Sequence, residues 1–126
     1  MVTNSNSDNV AKIRAFDCKF LGHFSTGHIP TGIAFDGQSI RIANTGAGSL
    51  THLDLNSNLL GTFVVATSPY GSAIDKSGNL WVSDEGTGNF LKVLNGQVVL
   101  VVPAKWLPYL MVSDGTYLWA QTRKVS

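Results

Sequence analysis

The stretch Ser68–Asn89, SPYGSAIDKSGNLWVSDEGTGN, decides the fold, because Ile29–Ser49, IPTGIAFDGQSIRIANTGAGS, is a second version of it. Pro30, Pro69 and Pro108 are evenly spaced along the chain, and Asp36, Asp75 and Asp114 keep the same interval. Gly32 and Gly71 follow it as well, with Leu110 in the third copy, and Ala34, Ala73 and Val112 hold another equivalent point. Self-similarity at a fixed period, here about 39 residues, marks a repeat architecture and outranks any local secondary-structure reading.

Each copy divides into four short strands. The first, GIAFD or GSAID, ends in an Asp/Gly-rich turn, FDGQS, DKSGN or SDGTY. The second, SIRIAN, NLWVSD or YLWAQT, alternates apolar residues with period two, as a half-buried strand does. A Gly-x-Gly turn at Gly46/Gly48 and Gly86/Gly88 leads to a third strand, SLTHLDL or NFLKVL. A fourth, LLGTFVVAT or QVVLVVPA, precedes the next proline. Four strands in every repeat predict the blade of a β-propeller, a small sheet that buries its faces only against its neighbours.

At 126 residues the chain has room for little more than three such units. Val10–His28 contains FLGHF, which parallels LLGTF of the next copy: Leu21-Gly22 and Phe24 lie one repeat before Leu60-Gly61 and Phe63. The reading is therefore all-β, about three blades, half of a six-bladed ring. Residues 1–9 read as a polar tail, 10–28 as the last two strands of a split blade, 29–67 and 68–106 as whole blades, and 107–126 as the first two strands of the split blade. An open arc exposes apolar faces and unpaired strand edges. A second copy placed head to tail would cover both, so a homodimer is the expected partner state.

The patterns Pro-x-Gly-x-Ala-x-Asp and apolar-Trp-Val-(Ser or Ala)-(Asn or Asp)-x-Gly, as in SPYGSAIDKSGNLWVSDEG, resemble the repeats of bacterial NHL-like propellers and of the streptogramin (virginiamycin B) lyase family. The resemblance runs from about Ile29 to Thr122. It implies rings of six or seven blades and, for the lyases, elimination chemistry using a histidine and Mg2+ on the axial face. Only His28 lies on the matching face, and the family's second histidine has no equivalent in this sequence.

In a four-stranded meander the connections between blades and the turns between second and third strands share one face. That face collects His28, Asn44, Tyr70, Asp84, Glu85, Trp106, Tyr109 and Arg123 as ligand-binding candidates. His28 is the candidate general base, against the plainer reading of an exposed loop histidine. Asp84 and Glu85 are candidate oxygen ligands for a divalent cation, although an Asp at such a turn often caps it instead. Tyr70, Trp106 and Tyr109 could line a pocket.

Nine Lys/Arg against eight Asp/Glu give a net charge of +1 without a basic cluster, which argues against a nucleic-acid partner. The longest apolar run, Val98–Ala104, is too short to span a bilayer as a helix, and the start lacks the pattern of a signal peptide. A soluble, cytoplasmic protein without a membrane partner is expected, or a secreted one if the sequence derives from a longer precursor. Cys18 is the single cysteine, so no intrachain disulfide forms. The expected function is a non-catalytic binding or scaffold module for an unidentified small molecule or protein, with no cofactor required. The alternatives are a metal-assisted lyase or hydrolase of the streptogramin lyase type, using Mg2+, and a piece of a longer propeller protein.

Overall fold

The computed structural model describes residues 1–124; residues 125 and 126, which close the range expected as the C-terminal strand pair, lie outside the described residues. The first unit contains β1 (Val2–Asn4), β2 (Asn9–Arg14) and β3 (Lys19–Ser25). The second contains β4 (Pro30–Phe35), β5 (Ser39–Asn44), β6 (Ser49–Asp54) and β7 (Leu59–Val64). The third contains β8 (Pro69–Ile74), β9 (Leu80–Asp84), β10 (Asn89–Leu94) and β11 (Gln97–Pro103). The fourth contains β12 (Leu107–Ser113) and β13 (Leu118–Arg123). Every sheet is an antiparallel meander in chain order, as the repeat predicts.

The turns hold for local reasons. Asp36 accepts the amides of Gln38 and Ser39 at 2.9 and 2.7 Å, closing the turn between β4 and β5. Asp75 repeats this with Ser77 and Asn79, and Asp114 with Thr116 and Tyr117. In the last two copies the carboxylate also receives a tryptophan indole N–H, from Trp81 at 2.9 Å and Trp119 at 2.8 Å.

The core lies between units. Val10, Ile42 and Leu53 join the first unit to the second, while Ala43, Leu50, Val82, Leu91 and Val93 join the second to the third. Period-two alternation makes one sheet face the previous unit and the other face the next. Innermost strands approach so closely that glycine is required. A Cβ on Gly32 would stand 2.6 Å from the Tyr70 carbonyl oxygen, and one on Gly71 would run into the Tyr109 carbonyl oxygen. Hydroxyls tie second strands to the next unit's first strand: Thr45 Oγ1 donates to the Pro69 carbonyl at 2.7 Å, and Ser83 Oγ donates to the Tyr109 carbonyl.

Residues 1–9 are not a tail. Val2, Thr3 and Asn4 pair with Ala11, Val10 and Asn9, so the first unit has three strands where two were expected. The reason lies in how the second-strand turns align. Asn4-Ser5-Asn6-Ser7-Asp8 takes the place of Asn44-Thr45-Gly46-Ala47-Gly48 and of Asp84-Glu85-Gly86-Thr87-Gly88. Asp8 adopts φ 53° where Gly48 and Gly88 have 66° and 72°. Asp is among the few non-glycine residues that tolerate this left-handed region. β1 is thus a second strand, and it makes a second strand's contacts: Thr3 Oγ1 donates to the Thr31 carbonyl at 3.0 Å and Ser5 Oγ to the Pro30 carbonyl at 2.8 Å.

Candidate functional site

The face carrying the inter-unit connections and the turns after β1, β5 and β9 is laced by backbone bonds. Thr26 N donates to the Asp8 carbonyl at 3.0 Å, Thr45 N to Ile29 at 2.8 Å, Glu85 N to Ser68 at 3.1 Å and Ala104 N to Gly88 at 2.9 Å. Each connection is pinned to the turn of the following second strand or held under the preceding one. Side chains on this face therefore rest on a rigid frame.

Two of the eight candidates belong to the frame itself. Asn44 is fully buried; its Oδ1 accepts the Gly27 amide at 3.2 Å and its Nδ2 donates to Thr51 Oγ1 at 2.8 Å. Asp84, also buried, accepts the amides of Thr67, Ser68 and Gly86 and the hydroxyl of Thr87, all between 2.8 and 3.2 Å. Both anchor a connection beneath the face instead of presenting a group on it. Glu85 is half-buried beside this turn, Trp106 is exposed on the connection before β12, and Arg123 is exposed at the end of β13.

Tyr70 and Tyr109 are brought together. They occupy equivalent positions on β8 and β12, and their rings meet edge to face with centroids 5.1 Å apart and planes at 87°. Thr31 holds the same position on β4, donating to the Tyr70 carbonyl at 2.6 Å and sharing a hydrogen bond with Thr45 at 2.8 Å. A row of Thr31, Tyr70 and Tyr109 thus runs along the innermost strands.

His28 pairs with a residue that the sequence reading left in the tail. Its Nδ1 lies 3.1 Å from both carboxylate oxygens of Asp8, whose Oδ1 also accepts the Ile29 amide at 3.0 Å. The Ile29 amide, and then the His28 ring, hold the Asp8 carboxyl below its ordinary range. An acceptor at Nδ1 favours a proton on that nitrogen. The signal that could have found Asp8 is its alignment with Gly48 and Gly88, hidden because Asn and Asp replace both glycines of the turn.

The magnesium that a lyase resemblance implies does not fit these residues. The Asp84 carboxylate is already satisfied by four protein donors, and among the described residues no three His, Cys, Asp or Glu side chains form a group able to hold a metal ion. An apolar cleft lies elsewhere. A cavity of about 150 Å³ opens between the third and fourth units, lined by Trp81, Phe90, Val102, Met111, Leu118 and Ala120.

Comparison with solved structures agrees with this architecture. The chain is similar to hydrazine synthase of Kuenenia stuttgartiensis, with TM-score 0.82, 20% identity, and coverage of 98% of this chain and 38% of that one. It is similar to virginiamycin B lyase of Staphylococcus aureus, with TM-score 0.77, 15% identity, and coverage of 95% and 44%. It is also similar to a streptogramin B lyase, with TM-score 0.76, 14% identity, and coverage of 94% and 42%. At these identities the likeness shows the fold alone: an arc of a β-propeller, similar in architecture to part of each of these proteins. The chain spans less than half the length of each of these proteins. No protein-family model matches the sequence. No curated protein matches it either. Among the described residues no helix is long and apolar enough to cross a membrane.

Proposed function

We propose that this chain is a non-catalytic binding and scaffold module that joins a second copy of itself to close a six-bladed ring around a loop-lined axial face. One observation carries the reading: the sheet faces left uncovered at the two ends of the arc are the opposite faces of one repeat. At one end Ile13 and Phe20, directly paired on the first unit's outer face, are 45% and 54% exposed. At the other end Leu100 and Val102 are 47% and 39% exposed, and Val102 lines the cavity with Trp81 and Phe90. Ile13 stands at the repeat position of Leu53 and Val93, which fill the same kind of gap between the other units. Exposed apolar surface of this extent is characteristic of an interaction site.

The ring would set two rows of Thr31, Tyr70 and Tyr109 around one axis, with His28 on the rim, a surface suited to an aromatic or polar small ligand or to a protein loop. Leu100→Asp tests the reading, because it puts a charge on the face that would be buried without touching the internal core. The variant is expected to sediment as a monomer with an unchanged far-UV spectrum. A variant that assembles as the parent does would refute the interface.

A second reading rests on coverage. Since the chain matches less than half of the solved propellers, it also fits one arc of a longer polypeptide whose own further blades cover the same faces. The metal-assisted lyase or hydrolase reading keeps the His28–Asp8 pair, but among the described residues no group of three His, Cys, Asp or Glu side chains could hold its magnesium.

A further inference from the structure

Resting on the assembly proposed above, we infer that β1 is an internal stand-in for the partner's β13: in the closed ring β13 of one copy replaces β1 of the other, and β1 is released. The strand inventory leads there. The fourth unit supplies a first and a second strand, and the first unit supplies a second, a third and a fourth. Joined, they would hold two second strands, whereas the complete units hold one each.

The two claimants are unequal. β1 has three residues and pairs only with Asn9, Val10 and Ala11, leaving the edge of Lys12 and Ile13 open on that side. In the complete units the second strand reaches further: β5 pairs with β6 over six residues and β9 with β10 over five. Among the described residues β13, six residues long, has a free edge and the same alternation. Superposing the repeats fixes its register on the partner's β2. Thr122, Gln121, Ala120, Trp119 and Leu118 would face Asn9, Val10, Ala11, Lys12 and Ile13, as Asp84 to Leu80 face Asn89 to Val93.

The side chains suit the exchange. Thr3 and Ser5 now donate to the carbonyls of Thr31 and Pro30. Gln121 and Arg123 hold those two positions in β13, and both are hydrogen-bond donors. On the other face of the fourth unit, Val112 and Trp119 form a directly opposed pair, 62% and 60% exposed. They would cover Phe35 of β4, 55% exposed because the first unit has no first strand in front of it. Before exchange, β1 blunts the edge of β2, which would otherwise invite indiscriminate pairing.

Two measurements on the full chain test this. The first is an interchain disulfide between Ala11→Cys and Ala120→Cys in a Cys18→Ser background, since these two positions face each other only if β13 replaces β1. The second is amide exchange of residues 1–8 and 118–123 at low and high protein concentration. Replacement predicts a cross-linked dimer, loss of protection over 1–8 and gain over 118–123 as concentration rises. Thr3→Pro, which removes a strand N–H and the hydroxyl donor, is expected to lower the dimer Kd on the order of tenfold by weakening the competitor. A dimer that keeps residues 1–8 protected and forms no such disulfide overturns the exchange while leaving the assembly standing. A chain that stays monomeric at every concentration overturns the assembly, and the exchange with it.

Discussion

Asp114 shows how much one side chain does in this fold. It receives the Trp119 indole N–H and the amides of Tyr117 and Thr116, and these bonds, the indole first, hold its carboxyl below the ordinary 3.8. A carboxyl depressed in the folded state contributes stability that is present above the unfolded value and is lost as pH falls through the folded one. Melting temperature is therefore expected to drop below about pH 4, and the drop should be shallower in Asp114→Asn, as thermal melts of both proteins would report. Asp84 gives a second prediction. Removing its carboxylate strands the amides of Thr67 and Ser68 under the face, at about 1–3 kcal/mol for each buried donor left unpaired. Asp84→Ala should unfold at clearly lower urea with or without magnesium. Stabilisation by magnesium that disappears in Asp84→Ala would instead restore Asp84 as a ligand. The turn aspartates were legible because Asp and Gly sit at fixed offsets in three copies. The roles of Asn44 and Asp84 were not, since a buried anchor and an exposed ligand use the same polar residue types. Asp8 as the partner of His28 needed the three-dimensional path of the first turn.

Among the elements, the innermost strands carry the sharpest constraint. Gly32 and Gly71 allow β4, β8 and β12 to approach one another, and Leu110, exposed, occupies the third equivalent position. Closing a ring at the same spacing would drive the Leu110 side chain toward the partner's first-strand backbone, so the seam beside β12 must open slightly. Leu110→Gly is expected to tighten assembly, read as a lower dimer Kd, even though the glycine costs about 0.5–1 kcal/mol in the isolated chain. A weaker dimer would mean that β12 does not face a neighbouring first strand at all. Every strand from β2 to β13 follows the repeat. β1 escaped it because Asn6 and Asp8 replace the two glycines that announce the same turn elsewhere.

At the scale of the whole molecule, the arc buries its apolar residues between units and leaves the end faces uncovered, with β11 exposed along its entire length. Those faces match in phase because both come from one repeat, and this complementarity is the basis for the proposed ring of two chains. The repeat period made the architecture readable; the unequal partition of strands between the ends became visible only once pairing was known. Light scattering after gel filtration tests the account most directly. Twice the chain mass of 13.5 kDa is the predicted result, concentration-dependent and lost in Leu100→Asp. A stable, cooperatively melting monomer of 13.5 kDa would contradict it.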